Sequence, residues 1–136
     1  MEKAASTSFN FSPFTVPPSI DHLRFTIHDA MATSRIDTFK AMLESDPDNA
    51  LVRFGLANEY LKAEQYDEAI AALVDYLQRA DDEGAAFGML ARAYEKSGQR
   101  ERARETYLRG IEAAELHSHP SMAEDYRTTL QTDYED

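Results

Sequence analysis

Apolar residues return along this chain at helical spacing from Ile20 to Leu130, and breaker residues divide them into short helices. The clearest stripe is Ala69, Ile70, Leu73, Val74, Leu77 and Ala80, one face of a helix turned toward a core. Leu51, Val52, Phe54, Leu56, Ala57, Tyr60 and Leu61 cover more than one stripe of a helix over 51–63, as packing between two neighbours requires. Upstream, Ser34 with Asp37 resembles a capping box, and Ile36, Phe39, Ala41, Met42 and Leu43 fill the helix to Ser45. Asp46-Pro47-Asp48-Asn49 then stops that helix and offers Asp48 or Asn49 as the cap of the next. Downstream, Asp81-Asp82-Glu83 puts negative charge at the start of a helix ending near Ser97, with Gly98 as its left-handed closing residue. A further helix spans about 100–115, with Glu105 and Arg109 spaced to pair on its outer face. Pro120 opens the last, whose Met122, Tyr126 and Leu130 give it one apolar side, the mark of a terminal capping helix. Residues 133–136 read as a frayed acidic tail.

The stretch 1–33 is organised differently. Ser, Thr and Pro with Phe9, Phe11 and Phe14 show no helical period up to Pro17-Pro18, which predicts a flexible extension. Over 19–31, Ile20, Leu23, Ile27 and Met31 fit a helix, whereas Leu23, Phe25 and Ile27 also alternate as a strand would. A short helix fits better beside an all-helical remainder. Residues 1–35 hold three acids and three bases, so the whole net charge of −11 falls in 36–136. That break makes Met31 a candidate natural start, which peptide mapping of residues 1–30 in the native protein would refute.

One numerical relation organises the rest. Leu56, Ala57 and Tyr60 return at i+34 as Leu90, Ala91 and Tyr94, and Lys62, Gln65 and Ala69 return as Lys96, Gln99 and Ala103. A fixed period of that length marks a helical repeat array, in which each unit buries its apolar face only by stacking on the next. The fold class is all-α: antiparallel helix-turn-helix units in a solenoid, about five helices with a short N-terminal helix before them.

Composition narrows the function. A chain of 136 residues with 43% hydrophobic content suits one domain. Its acidity argues against nucleic acid, whose phosphates need Lys and Arg, and against an anionic membrane. There is no cysteine, hence no disulfide, thiol nucleophile or thiolate metal site. No apolar run reaches the roughly 20 residues of a transmembrane helix, and the N-terminal residues lack a signal-like apolar stretch. A cytoplasmic location is the default.

The repeat resembles the tetratricopeptide repeat, W-x2-L-G-x2-Y followed by A-x3-F and P. Leu56, Ala57 and Tyr60, then Leu90, Ala91 and Tyr94, match L-G-Y; Ala69 with Leu73, and Ala103 with Tyr107, match A-x3-F. Phe39 and Pro47 match the end of an earlier copy. The bulky first position is Phe87 in one copy and Arg53 in the other, and Asp81 and Glu115 replace the closing proline. The resemblance implies a half repeat at 34–49, repeats at 50–83 and 84–117, and a capping helix at 118–132, as in short stand-alone bacterial repeat proteins.

It also implies a concave groove lined by the first helix of each pair, at repeat positions 2, 5, 9, 12 and 13. Those are Leu51, Phe54, Asn58, Leu61 and Lys62, then Ala85, Gly88, Arg92, Glu95 and Lys96. The peptide-binding set is therefore Phe54, Asn58, Leu61, Lys62, Arg92 and Lys96, with the three cations suited to a partner's acidic side chain or C-terminal carboxylate. The alternative for Lys62 and Lys96 is that they occupy last helical turns, where the dipole favours cations. Phe54 and Met89 stand where the dedicated carboxylate clamp of some family members has Lys and Asn, so that clamp is not implied.

Enzymatic chemistry finds no support: no glycine-rich phosphate loop, no nucleophile elbow, and in His117-x-His119 only a turn without an arranged carboxylate. No cofactor or metal is implied. The expected function is a non-enzymatic protein–protein interaction module holding a partner's peptide in the groove. The alternative is a self-associating assembly protein that uses the groove or the array ends, a homo-oligomer.

Overall fold

The computed structural model describes residues 19–135, with side-chain surroundings from Ala30 onward, Ala32 excepted. Residues 1–18, the expected flexible extension, lie outside the described residues. Six helices follow one another among the described residues: α1 (Ser19–Ser45), α2 (Ala50–Lys62), α3 (Tyr66–Arg79), α4 (Ala85–Lys96), α5 (Arg100–Leu116) and α6 (Pro120–Asp133). Each packs chiefly on its sequence neighbours, so the array grows by local pairing, as stacked helical hairpins do.

The first helix differs from the sequence expectation. Ser34 lies inside α1 rather than capping it, and α1 passes through Met31 without a break. No Pro or Gly interrupts 19–45, and at roughly 1.5 Å per residue the helix is about 40 Å long. The Thr38 hydroxyl donates to the Ser34 carbonyl one turn back, the usual accommodation of a hydroxyl within a helix.

The remaining boundaries follow their caps. Asn49 caps α2, its Oδ1 accepting from the Val52 N–H at 3.1 Å. Asp82 serves α4 in the same way from two residues outside Gly84, taking the N–H groups of Gly84 at 2.8 Å and Ala86 at 2.9 Å. Pro120 stands in the first turn of α6.

Side chains spaced by the repeat build the core. Among the described residues Leu73 and Leu90 are the largest fully buried side chains, and Ala57, Ala69, Ala91 and Ala103 are completely buried. Alanines at these places bring helix axes close, and Tyr60, Tyr94 and Tyr107 fill the space between. A fully buried leucine contributes about 1.5–3 kcal/mol. Arg53, where the pattern wants a bulky apolar residue, is mostly buried and bridges Asp75 of α3 and the Pro47 carbonyl. Its stem covers apolar surface while its charged end ties α2 to the preceding turn.

Two further expectations change. Arg109 does not pair with Glu105; its guanidinium lies over the Phe87 ring, 5.1 Å from the centroid. The acidic tail is not frayed at Tyr134, which is 9% exposed. Tyr134 packs edge-on against Tyr107 at 6.1 Å, and burial of a whole aromatic ring outweighs the fraying tendency of an acidic terminus.

Candidate functional site

Helices α2 and α4 carry the expected groove residues at i, i+3 and i+7 spacing, which sets each group on one helix face. On α2, Leu51 is 80% exposed at the N-terminal end. Phe54, one turn on, is half-buried with its ring 5.2 Å from Tyr76 of α3. Asn58 and Leu61 are half-buried, and Leu61 packs against both apolar clusters of the core. Lys62 is exposed, its Nζ 3.4 Å from Glu59 Oε2.

Glu59 is a feature that sequence reasoning misses. It is a buried carboxylate, and Arg35 of α1 donates to it from Nε at 2.7 Å. That bond holds its pKa below the usual carboxylate range against the opposing effect of burial, with Lys62 assisting. The tie links α1 to α2 and engages one of the three expected groove cations. A carboxylate facing inward on a packed helix, with its Arg on the helix before, leaves no local signal in the sequence.

On α4 the arrangement is different. Gly88 is buried beneath Tyr126 of α6, whose phenol donates to the Gly84 carbonyl at 2.8 Å. A Cβ on Gly88 would collide with the Tyr126 oxygen, so only glycine lets that ring approach α4 so closely. Arg92 and Lys96 are both exposed, and neither has a carboxylate within ion-pair distance among the described residues. Burial raises the Tyr126 phenol's pKa, and nearby Arg92 opposes part of that rise. Tyr107 is pushed up to about 12, again first by burial and then by Glu95, with Arg92 opposing. The charge of Arg92 is therefore felt at the two tyrosines, one on α5 and one on α6.

Glu95 is half-buried and engaged twice: Oε2 accepts from the Tyr134 phenol at 2.6 Å and Oε1 from the Tyr107 phenol at 3.3 Å. The two histidines of the α5–α6 turn meet acids of the α3–α4 turn, His117 Nε2 at 3.4 Å from Asp81 and His119 Nε2 at 2.5 Å from Glu83. These are separate pairs; among the described residues no group of three or more His, Asp or Glu side chains could hold a metal. Nor is any described helix long and apolar enough to cross a membrane.

A repeat of helical hairpins with small residues at the close contacts and tyrosines between them defines a helical repeat scaffold. The sequence matches the family model described as tetratricopeptide repeat over residues 29–132, and the chain belongs to that family. Among solved structures it is similar to protein BPP2914 from Bordetella parapertussis, with 27% identity and a TM-score of 0.63. That likeness covers 71% of this chain and 84% of the other. Of the curated proteins compared, none matches. Membership of this family makes the chain a protein–protein interaction module in general terms, of a kind that typically serves as a non-catalytic scaffold.

Proposed function

We propose that the α2–α4 face holds a peptide segment of a partner protein, with a carboxylate of the peptide on Arg92 and Lys96. Lys62 assists from α2, Asn58 offers an amide to the peptide backbone, and an apolar side chain of the ligand lies against Phe54 and Leu61. The observation that carries this reading is the free state of Arg92 and Lys96. In a chain with 25 acids and 14 Lys and Arg residues, both are exposed and without a carboxylate partner among the described residues. Cations so placed suit an acidic ligand: Arg92 as a planar fork, Lys96 as a mobile point charge.

The test is affinity capture from native lysate with wild type beside the double variant Arg92→Glu, Lys96→Glu. Loss of the captured partner in the variant, with unchanged circular dichroism, supports the groove. An identical set of captured proteins refutes it.

A further inference from the structure

We propose that Tyr134, acting through Glu95, keeps the cationic face of α4 open to an acidic ligand; this rests on the peptide-binding reading above. Glu95 follows Arg92 at i+3 on α4, a spacing at which opposite charges on a helix ordinarily meet. They do not meet here. Both carboxylate oxygens of Glu95 are taken by phenols, Oε2 by Tyr134 at 2.6 Å and Oε1 by Tyr107 at 3.3 Å. The shorter bond comes from the residue that closes α6, so the C-terminal end of the array determines where Glu95 points.

Tyr134 is itself held from its other side. The Arg100 guanidinium lies over its ring, 4.7 Å from the centroid, and Arg100 Nη2 donates to the Asp133 carbonyl at 2.5 Å. Burial, followed by the hydrogen bond to Glu95, raises the Tyr134 pKa, so the phenol remains a donor throughout the neutral range. Arg100 thus secures the ring and the Tyr134 hydroxyl secures the carboxylate. Arg92 is left exposed, without the partner its own helix could supply. Tyr134 is a positioning residue: it touches no ligand and acts by withholding Glu95 from Arg92.

Tyr134→Phe separates these roles, because the ring and the seat of Arg100 remain while the hydroxyl is lost. Freed from its shorter bond, Glu95 turns to Arg92. Two measurements follow on the full chain. In side-chain 15N NMR, the Arg92 Nε–H signal of Tyr134→Phe shifts and exchanges more slowly with water. With a fluorescein-labelled octapeptide of alternating Glu and Leu, affinity falls roughly two- to fivefold, the scale of an exposed helix ion pair. Adding Glu95→Gln restores that affinity, since a neutral amide does not quench Arg92; a tail merely loosened by the substitution would not be rescued.

An Arg92 signal unchanged in Tyr134→Phe overturns the inference whether or not the peptide binds. Unchanged affinity, or no rescue by Glu95→Gln, overturns it as well. If wild type does not bind the peptide while the Arg92 signal shifts as expected, the tail's hold on Glu95 stands and the acidic-peptide reading fails.

Discussion

Glu64 and Gly98, one repeat apart, hold the same left-handed place in the turn after the first helix of each repeat, at φ of 59° and 81°. Around them the hydrogen bonds repeat as well: Gln65 N–H reaches the Tyr60 carbonyl at 2.9 Å, and Gln99 N–H reaches the Tyr94 carbonyl at 2.8 Å. This is the helix-closing motif in which glycine is favoured, because a Cβ crowds the following carbonyl. Gly98 meets that need and Glu64 does not. Glu64→Gly is therefore expected to stabilise the chain by about 0.5–1 kcal/mol, with Gly98→Ala destabilising it by a similar amount. Thermal unfolding by circular dichroism reads both; a Glu64→Gly variant that melts below wild type contradicts the argument.

A closer contact governs the far end of the array. The Tyr126 ring lies on Gly88, where a Cβ would overlap the phenol oxygen and stand 2.9 Å from two ring carbons. Gly88→Ala must displace the ring, and with it the bond to the Gly84 carbonyl, for a loss of about 1–3 kcal/mol. Removing the hydroxyl relieves the tightest of these contacts. In the double variant Gly88→Ala, Tyr126→Phe the loss should thus fall short of the sum of the single losses. Urea unfolding of the four proteins measures this coupling; strict additivity would show that ring and helix do not meet as described.

Much of this fold is legible in the sequence because the repeat writes the same spacing twice. Leu56, Ala57 and Tyr60 with their partners one repeat on are buried as expected, and Asn49 and Gly98 sit at the helix ends where local chemistry puts them. What escapes is non-local. Helix α1 continues through Ser34 with no stop signal before it, so a cap-like serine reads as a boundary that the chain does not have. Tyr134 stands in an acidic terminus, and only the arrival of α6 beside α4 and α5 gives its ring a place to be buried. Arg109 has a correctly spaced Glu105, yet an aromatic face on the neighbouring helix takes its guanidinium. The groove set is legible only as positions. Which of its cations are already engaged depends on Glu59, a residue whose partner lies on α1.

The alternative of self-association makes a different forecast. Among the described residues the large apolar side chains most open to solvent are Leu51 and Leu116, at 80% and 78% exposure, one at the start of α2 and the other at the end of α5. Scattered apolar residues of this kind are ordinary on monomers, and a net charge of −11 repels a second copy. A monomer is expected from light scattering of the full chain at physiological salt. A concentration-dependent dimer would favour the assembly function, and loss of that dimer in Leu51→Glu would assign it to the α2 face.

The pair Arg35–Glu59 predicts how stability responds to acid. Glu59 is buried in α2 and its pKa is depressed in the folded chain, first by the Arg35 hydrogen bond and then, against burial, by Lys62. A carboxylate whose folded pKa lies below its unfolded value binds fewer protons when folded. Its contribution is present above the ordinary carboxylate range and is lost as pH falls through the depressed folded value. Arg35→Ala removes the largest cause of the depression. Because Arg35 is 42% exposed, solvent screening limits the loss at neutral pH to about 1 kcal/mol, below that of a fully buried pair. The difference from wild type should be full at about pH 7 and shrink as pH falls through the depressed folded value, since a protonated Glu59 gains little from a cation. Urea unfolding of both proteins across that range checks the direction. A gap that stays constant would show that Arg35 acts through packing of its stem and not through the charge on Glu59.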